Sequence, residues 1–140
     1  MIPLVPASFG DIVAAANIAL SIYKALSNST GSSYDYQCLI AEVRSFEQAL
    51  RAVDRAISVS PPSGRLAQDI RAETTTCLEL LKKFLKGIES YQKALGGPGN
   101  GATWRKIGWG LLKTEEVANF RRKLSQHKQN ITVFLNLLMM

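Results

Sequence analysis

The sequence is poor in the residues that carry most enzyme chemistry. Of its 140 residues, two are cysteine and one is histidine. Two cysteines are too few for a disulfide scaffold, and Cys38 and Cys77 lack the paired spacing of a zinc site. A single imidazole leaves little scope for acid–base or nucleophilic catalysis. We therefore expect no catalytic residue, no metal site and no cofactor, and a protein that is not an enzyme.

Long hydrophobic runs are also missing. No stretch reaches about 18 uncharged apolar residues, which is the least that a transmembrane helix needs. The apolar N-terminal segment has no Lys or Arg before Lys24 and carries Asp11, so it lacks the positive start of a secretory signal. Together with the scarcity of cysteine, this predicts a cytoplasmic protein.

The remaining composition is that of one globular domain. Apolar residues make up 46% of the chain and charged residues 20%, which excludes a disordered tail. A chain of this length hides roughly 70% of its unfolded surface on folding, enough for one core. We expect residues 1–140 to form a single domain.

Apolar residues recur at steps of three and four in four long stretches, which predicts four long helices. A fifth, short helix is predicted between the last two, and no alternating pattern typical of strands is present. The sequence thus predicts an all-α fold, an up-and-down bundle of four long helices plus one short helix. The predicted helices are Ser8–Ser27, Ser33–Ser58, Arg65–Leu95, the short Thr103–Leu112, and a last helix that begins at Thr114.

Two polar residues interrupt the apolar seams of these helices. Glu73 stands in the third helix where the heptad expects an apolar residue, and His127 falls in the seam of the last helix. Polar residues at seam positions more often set the packing register than act chemically. We interpret Glu73 as register control or a partly exposed position, and His127 as a hydrogen-bonded core group. Glu47 and Arg51, four residues apart, are expected to pair on the solvent side of the second helix.

Positive charge is concentrated in the second half of the chain. Residues 1–81 carry six Lys and Arg against eight Asp and Glu, whereas residues 82–140 carry eleven against three. This asymmetry favours an anionic partner such as a lipid headgroup surface or an acidic protein face. The alternative is a basic face that only keeps the protein soluble. Nucleic acid is less favoured, because the cations do not cluster on one predicted recognition helix. The candidate cations are Lys82, Lys83, Lys86, Arg105, Lys106, Lys113, Arg121, Arg122 and Lys123.

The short predicted helix interleaves tryptophan with cations. Trp104 shares a face with apolar residues, whereas Arg105, Trp109 and Lys113 share another at steps of four. Tryptophan among cations is typical of a membrane interface, which makes Trp109 a further candidate for lipid or interface contact. The alternative is that the aliphatic stems of Arg105 and Lys113 cover Trp109 against the protein. We predict that Trp104 is buried and that Trp109 is partly exposed.

Three segments resemble one family of domains. They are Phe9-Gly-Asp-Ile12, Trp104-Arg-Lys-Ile-Gly-Trp-Gly-Leu111 and Glu116-Val-Ala-Asn-Phe-Arg-Arg-Lys-Leu124. With the helical seams between them, they are similar to the N-terminal domains of fungal STAND (NOD-like) receptor proteins, in the HeLo and HeLo-like cell-death superfamily. The resemblance covers nearly the whole chain, and Lys106-Ile-Gly-Trp109 is its most specific part. It implies the N-terminal domain of a larger receptor, or a stand-alone relative.

The resemblance also implies a mechanism and partners. Such a bundle stays inactive until a sensor or receptor domain oligomerises it, and the N-terminal helix then leaves the bundle and permeabilises a membrane. The implied partners are anionic lipids and further copies of the chain, and the implied location is a cytoplasm-to-membrane transition. An alternative is a protein–protein recruitment or dimerisation module without membrane activity. The implied inserting segment is about Ile2 to Leu26, with candidates Phe9, Ile12, Val13, Ile18, Leu20 and Ile22.

Overall fold

The structure, a computed structural model, describes residues 5–27, 34–94 and 114–140, with side chains for 11–27, 36–90, 93 and 115–140. These residues form four long helices and, within the described ranges, no strand. The predicted all-α class is therefore confirmed. The predicted short helix lies outside the described residues. The helices are α1 (Val5–Ser27), α2 (Tyr34–Val59), α3 (Gly64–Ala94) and α4 (Thr114–Leu138).

The start of α1 differs from the prediction. The helix begins at Val5 and not at Ser8, so Pro6 lies inside its first turn. A first-turn residue needs no amide hydrogen bond, and the fixed φ of proline suits a helix, so proline is tolerated there. The starts and ends of α2 and α3 lie within one residue of the predicted ones, and α4 begins at Thr114 as predicted.

A short break separates α2 from α3. Residues 60–63, which include Pro61 and Pro62, lie between the two helices. Gly64 then begins α3 with a φ of +63°, a left-handed conformation that glycine adopts without a steric penalty. The two prolines and this glycine therefore end one helix and redirect the chain into the next.

Helices α1 and α4 both pack against α2 and α3. Helices α1 and α2 run in opposite directions, since Tyr36 contacts Leu26 near one end and Arg51 contacts Asn17 further along. Each of α1 and α4 thus fills a space between α2 and α3.

The core is continuous along α2. Every residue of its predicted seam is buried, which confirms the seam; these are Tyr36, Leu39, Val43, Phe46, Leu50, Val53 and Ile57. Burial of a large apolar side chain contributes about 1.5–3 kcal/mol. Against this side, α1 buries smaller groups, including Ala15, Ala16 and Ala19. Three large side chains of α1, Ile12, Ile22 and Leu26, are fully buried beside these alanines.

Candidate functional site

Helix α1 carries its apolar candidates on two sides. Ile12 and Ile22 are fully buried in the core. Ile18 and Leu20 are half-buried, and Val13 is 40% exposed. A helix on the surface of a soluble bundle ordinarily presents a polar outer face. Among the side chains of α1 that the structure describes, the exposed ones are Val13, Asn17, Ser21 and Lys24, so this outer stripe is mostly polar, with Ile18 and Leu20 half-buried beside it. The side chain of Phe9, the remaining α1 candidate, lies outside the described residues.

Two side chains of α1, Asn17 and Tyr23, contact charged groups of α2. Arg51 donates a hydrogen bond from Nη2 to Oδ1 of Asn17 at 3.2 Å, and a second from Nε to Glu47. Arg44 donates to the other oxygen of Glu47 at 2.9 Å, and its guanidinium lies 5.2 Å from the ring centre of Tyr23. We call these five residues the α1–α2 clamp. It joins two side chains of α1 to one acidic and two basic side chains of α2.

The clamp corrects the prediction for Glu47. Glu47 and Arg51 do form an ion pair, but the Glu47 side chain is only 5% exposed and does not lie on the solvent side. Two guanidinium groups satisfy its carboxylate, and such charge-assisted hydrogen bonds compensate for the loss of water. Arg44 and Arg51 remain 43% and 34% exposed. The acid is therefore buried while its partners stay in contact with solvent.

A second contact holds the C-terminal end of α1. The hydroxyl of Tyr36 donates a hydrogen bond of 2.7 Å to the backbone carbonyl of Leu26, and both residues are buried. The last carbonyls of a helix lack partners within the helix. Tyr36 thus satisfies one of them and fixes the end of α1 against α2.

The predicted cations of α3 and α4 do not all have the same surroundings. Arg121 is 28% exposed and forms two hydrogen bonds of 2.8 Å with the carboxylate of Glu42 on α2, so its charge is largely neutralised. Five others are exposed: Lys82, Lys83, Lys86, Arg122 and Lys123. Arg105, Lys106, Trp109 and Lys113 lie outside the described residues, as does Trp104.

A groove separates the exposed cations of α3 from those of α4. Its floor holds Phe84 and Phe120, whose rings stack with their centres 3.8 Å apart. Lys83 and Lys123 line it together with Glu116, and its volume is about 360 Å³. The groove therefore combines an aromatic floor with two cations at its sides.

The two polar residues of the seams meet each other between α3 and α4. Nδ1 of His127 is hydrogen-bonded to Oε2 of Glu73, and their side chains are 16% and 14% exposed. The Cys77 sulfur lies 3.6 Å from the same oxygen, and Asn130 donates to the other oxygen at 3.1 Å. We call these four residues the Glu73 cluster. His127 is hydrogen-bonded as predicted, but nothing in the sequence identified a partner 54 residues away.

The cluster also alters Cys77. Burial raises the pKa of its thiol well above the ordinary value, and the neighbouring Glu73 carboxylate raises it further. Both effects disfavour a thiolate. Cys77 is therefore a neutral thiol at physiological pH and not an activated nucleophile.

Comparison with known proteins leaves the family open. No family model, curated protein or solved structure matches the chain. The resemblance to HeLo-like domains therefore stays a prediction. Among the described residues, no helix is long and apolar enough to cross a membrane.

Proposed function

We propose that this protein is a non-enzymatic signalling domain of the HeLo-like cell-death and innate-immunity type. In this proposal a cytoplasmic bundle oligomerises, releases α1 and associates with anionic membranes. The observation that carries the proposal is the composition of α1. No charged residue lies between Asp11 and Lys24, and beyond its buried core side the helix carries further apolar surface on exposed Val13 and half-buried Ile18 and Leu20.

The proposal includes the finer architecture. We infer an up-and-down bundle of four long helices, with a short helix over residues 103–112 completing it. Residues 1–140 act as one domain, either at the N-terminus of a larger STAND-type receptor or as a stand-alone relative. A sensor domain or self-association supplies the activating signal.

Release of α1 from the bundle would expose less apolar surface than release of α2. Three of the buried residues of α1 are alanines, whereas α2 buries Phe46, Leu50 and other large side chains. Each CH₂ group returned to water costs about 0.8 kcal/mol, so the short side chains of α1 favour its release over that of α2. The α1–α2 clamp and Tyr36 supply polar contacts that a partner or an oligomer would have to replace.

Membrane activity of α1 requires more than one copy. Asp11 and Lys24 are thirteen residues apart, which is about 20 Å along a helix. The hydrocarbon core is about 30 Å thick, so a lone spanning helix would bury a charge or bend Lys24 to the interface. In an oligomer, Asn17 and Ser21 face each other or water, which lowers this cost.

The exposed cations give the bundle a surface for the first encounter. The five exposed candidate cations of α3 and α4 (Lys82, Lys83, Lys86, Arg122 and Lys123) each contribute on the order of 1 kcal/mol near an anionic surface. This attraction is screened over about 8 Å at physiological ionic strength. Binding should therefore depend on anionic lipid and weaken as salt is added.

The experiment compares leakage of dye from anionic and neutral vesicles, with and without forced oligomerisation through a fused dimeriser. Val13→Asp places a charge on the outer side of α1 without disturbing its core side. Val59→Asp is the matched control, because Val59 is 86% exposed at the end of α2. We expect the oligomerised protein to release dye from anionic vesicles. Val13→Asp should abolish this release, and Val59→Asp should leave it unchanged.

Two further forms test the dependence on α1. Deletion of residues 1–11 and the change Ile18→Asp should both abolish leakage. Circular dichroism of each form checks that the remaining helices are still folded. Full leakage by a monomer without residues 1–11 would refute the mechanism.

A second candidate function rests on the groove between α3 and α4. Stacked Phe84 and Phe120 between Lys83 and Lys123 would suit a partner segment that is apolar and acidic. The bundle would then recruit or dimerise without membrane activity. Absence of leakage by every oligomerised form, together with peptide binding that Phe84→Ala abolishes, would favour this module.

A further inference from the structure

We propose that Glu73, Cys77 and His127 form a zinc-binding site between α3 and α4. One carboxylate oxygen, the Cys77 sulfur and one ring nitrogen of His127 all lie within 4.8 Å of one another. The site is independent of any membrane activity, because it concerns only the packing of α3 on α4.

The fold brings the three ligands together in two steps. Glu73 and Cys77 are four residues apart on α3, so they lie one helical turn apart on the same face. His127 comes from α4, which runs opposite to α3, as the pairings of Glu73 with His127 and of Phe84 with Phe120 demonstrate. The ligand set therefore needs the tertiary structure and has no compact sequence motif.

The distances suit tetrahedral zinc. Zinc binds sulfur at about 2.3 Å and nitrogen or oxygen at about 2.0–2.2 Å, which separates neighbouring ligand atoms by about 3.3–3.8 Å. The sulfur-to-oxygen distance between Cys77 and Glu73 is 3.6 Å. Nδ1 of His127 and Oε2 of Glu73 are hydrogen-bonded to each other and therefore lie closer together than two ligands of one zinc ion. A rotation of either side chain would open the space for the ion between them.

The donor types select zinc over the hard cations. Calcium and magnesium take oxygen ligands, whereas a sulfur and an imidazole nitrogen favour zinc. On binding, the Cys77 thiol gives its proton to water and the sulfur bonds to the metal. The hydrogen bond between Glu73 and His127 breaks, and the proton that the His127 ring donates in it passes through water to the other ring nitrogen, which leaves a lone pair for the metal. The dication then neutralises the thiolate and the carboxylate, so neither charge is left uncompensated in the site.

The surroundings complete the site. Asn130 donates to Oε1 of Glu73 at 3.1 Å, which leaves Oε2 for the metal. Such outer hydrogen bonds orient metal ligands. The partial exposure of Glu73 and His127, at 14% and 16%, provides access from solvent. Three protein ligands leave a fourth position for water, and the bound ion would link α3 to α4.

The test titrates the reduced full chain with Zn²⁺ in a calorimeter and with Co²⁺ in a spectrophotometer. We expect one ion per chain and a cobalt spectrum with a thiolate charge-transfer band. Cys77→Ala should remove that band and weaken zinc binding at least about 100-fold, and His127→Gln should weaken zinc binding to the same degree. Loss of a residue that only hydrogen-bonds to a metal ligand already weakens binding roughly 10–100-fold, so loss of a ligand itself should cost at least as much. Asn130→Ala should weaken binding about 10-fold. Cys38→Ala is the matched control, since Cys38 is the other free cysteine, and it should bind as the wild type does.

Each alternative outcome overturns the site. No zinc binding by the folded wild type would leave the Glu73 cluster as a hydrogen-bonded seam only. Equal losses in Cys77→Ala and Cys38→Ala, or binding that Cys77→Ala does not change, would place the metal elsewhere. Circular dichroism of every variant before titration separates loss of a ligand from loss of the fold.

Discussion

Replacement of Glu47 by glutamine should loosen α1 more than any other single change of charge in α2. The carboxylate is 5% exposed and accepts hydrogen bonds from Arg44 and Arg51. Arg51 in turn contacts Asn17 of α1 at 3.2 Å. Glutamine keeps the shape of the side chain but removes its charge, and it places an amide where one guanidinium now donates.

The magnitude follows from the burial of each partner. A hydrogen bond to a charged group contributes about 1.5–3 kcal/mol, and two such bonds are weakened. Both arginines are more than a third exposed, so water recovers part of this loss. We expect Glu47→Gln to lower the free energy of unfolding by about 2 kcal/mol, which for a domain of this size lowers Tm by about 6–8 °C.

Urea denaturation and native-state hydrogen exchange measure the effect. Faster exchange of the α1 amides than of the α4 amides would locate the loss at the clamp. Asn17→Ala should cost only about 0.5 kcal/mol, because its hydrogen bond lies at the surface. Glu79→Gln is the matched control, since Glu79 is exposed on α3. Equal destabilisation by Glu47→Gln and Glu79→Gln would refute the role of the clamp.

Three further changes have defined outcomes. Tyr36→Phe removes the buried hydrogen bond to Leu26 and should lower the unfolding free energy by about 1–2 kcal/mol, measured by urea titration. Trp104→Ala should cost about 3–5 kcal/mol as a core truncation and Trp109→Ala much less; equal shifts in Tm would contradict that assignment. Co-sedimentation with anionic vesicles should weaken with salt because residues 82–140 carry eleven cations; equal binding to neutral vesicles would exclude this electrostatic origin.

The candidate site was only partly predictable. The seam pattern placed Glu73 and His127 at inward positions, because a heptad repeat specifies which face of a helix is covered. It could not pair them, since a periodic pattern contains no information on which helices become neighbours. The Glu73 cluster therefore emerged only when α3 and α4 were placed side by side.

The exposure of charged residues shows the same limit. Spacing alone predicted the Glu47–Arg51 pair, because residues four apart meet on any helix. Burial of Glu47 depends on Arg44 and on the cover that α1 provides, neither of which the spacing contains. Arg121 likewise does not differ in sequence pattern from the neighbouring cations, and only the fold places Glu42 of α2 beside it.

The sequence by itself determined the four long helices, their apolar faces, the break at Pro61 and Pro62, and the basic second half of the chain. These properties depend on periodicity, backbone chemistry and composition, which are local or additive. The tertiary structure alone decided which polar side chains of different helices meet, because these contacts join residues that are distant in sequence, 54 positions apart for Glu73 and His127 and 83 for Ser45 and Lys128. Whether a polar residue in a seam is a spacer, an ion pair or a metal ligand is settled by its neighbour on another helix.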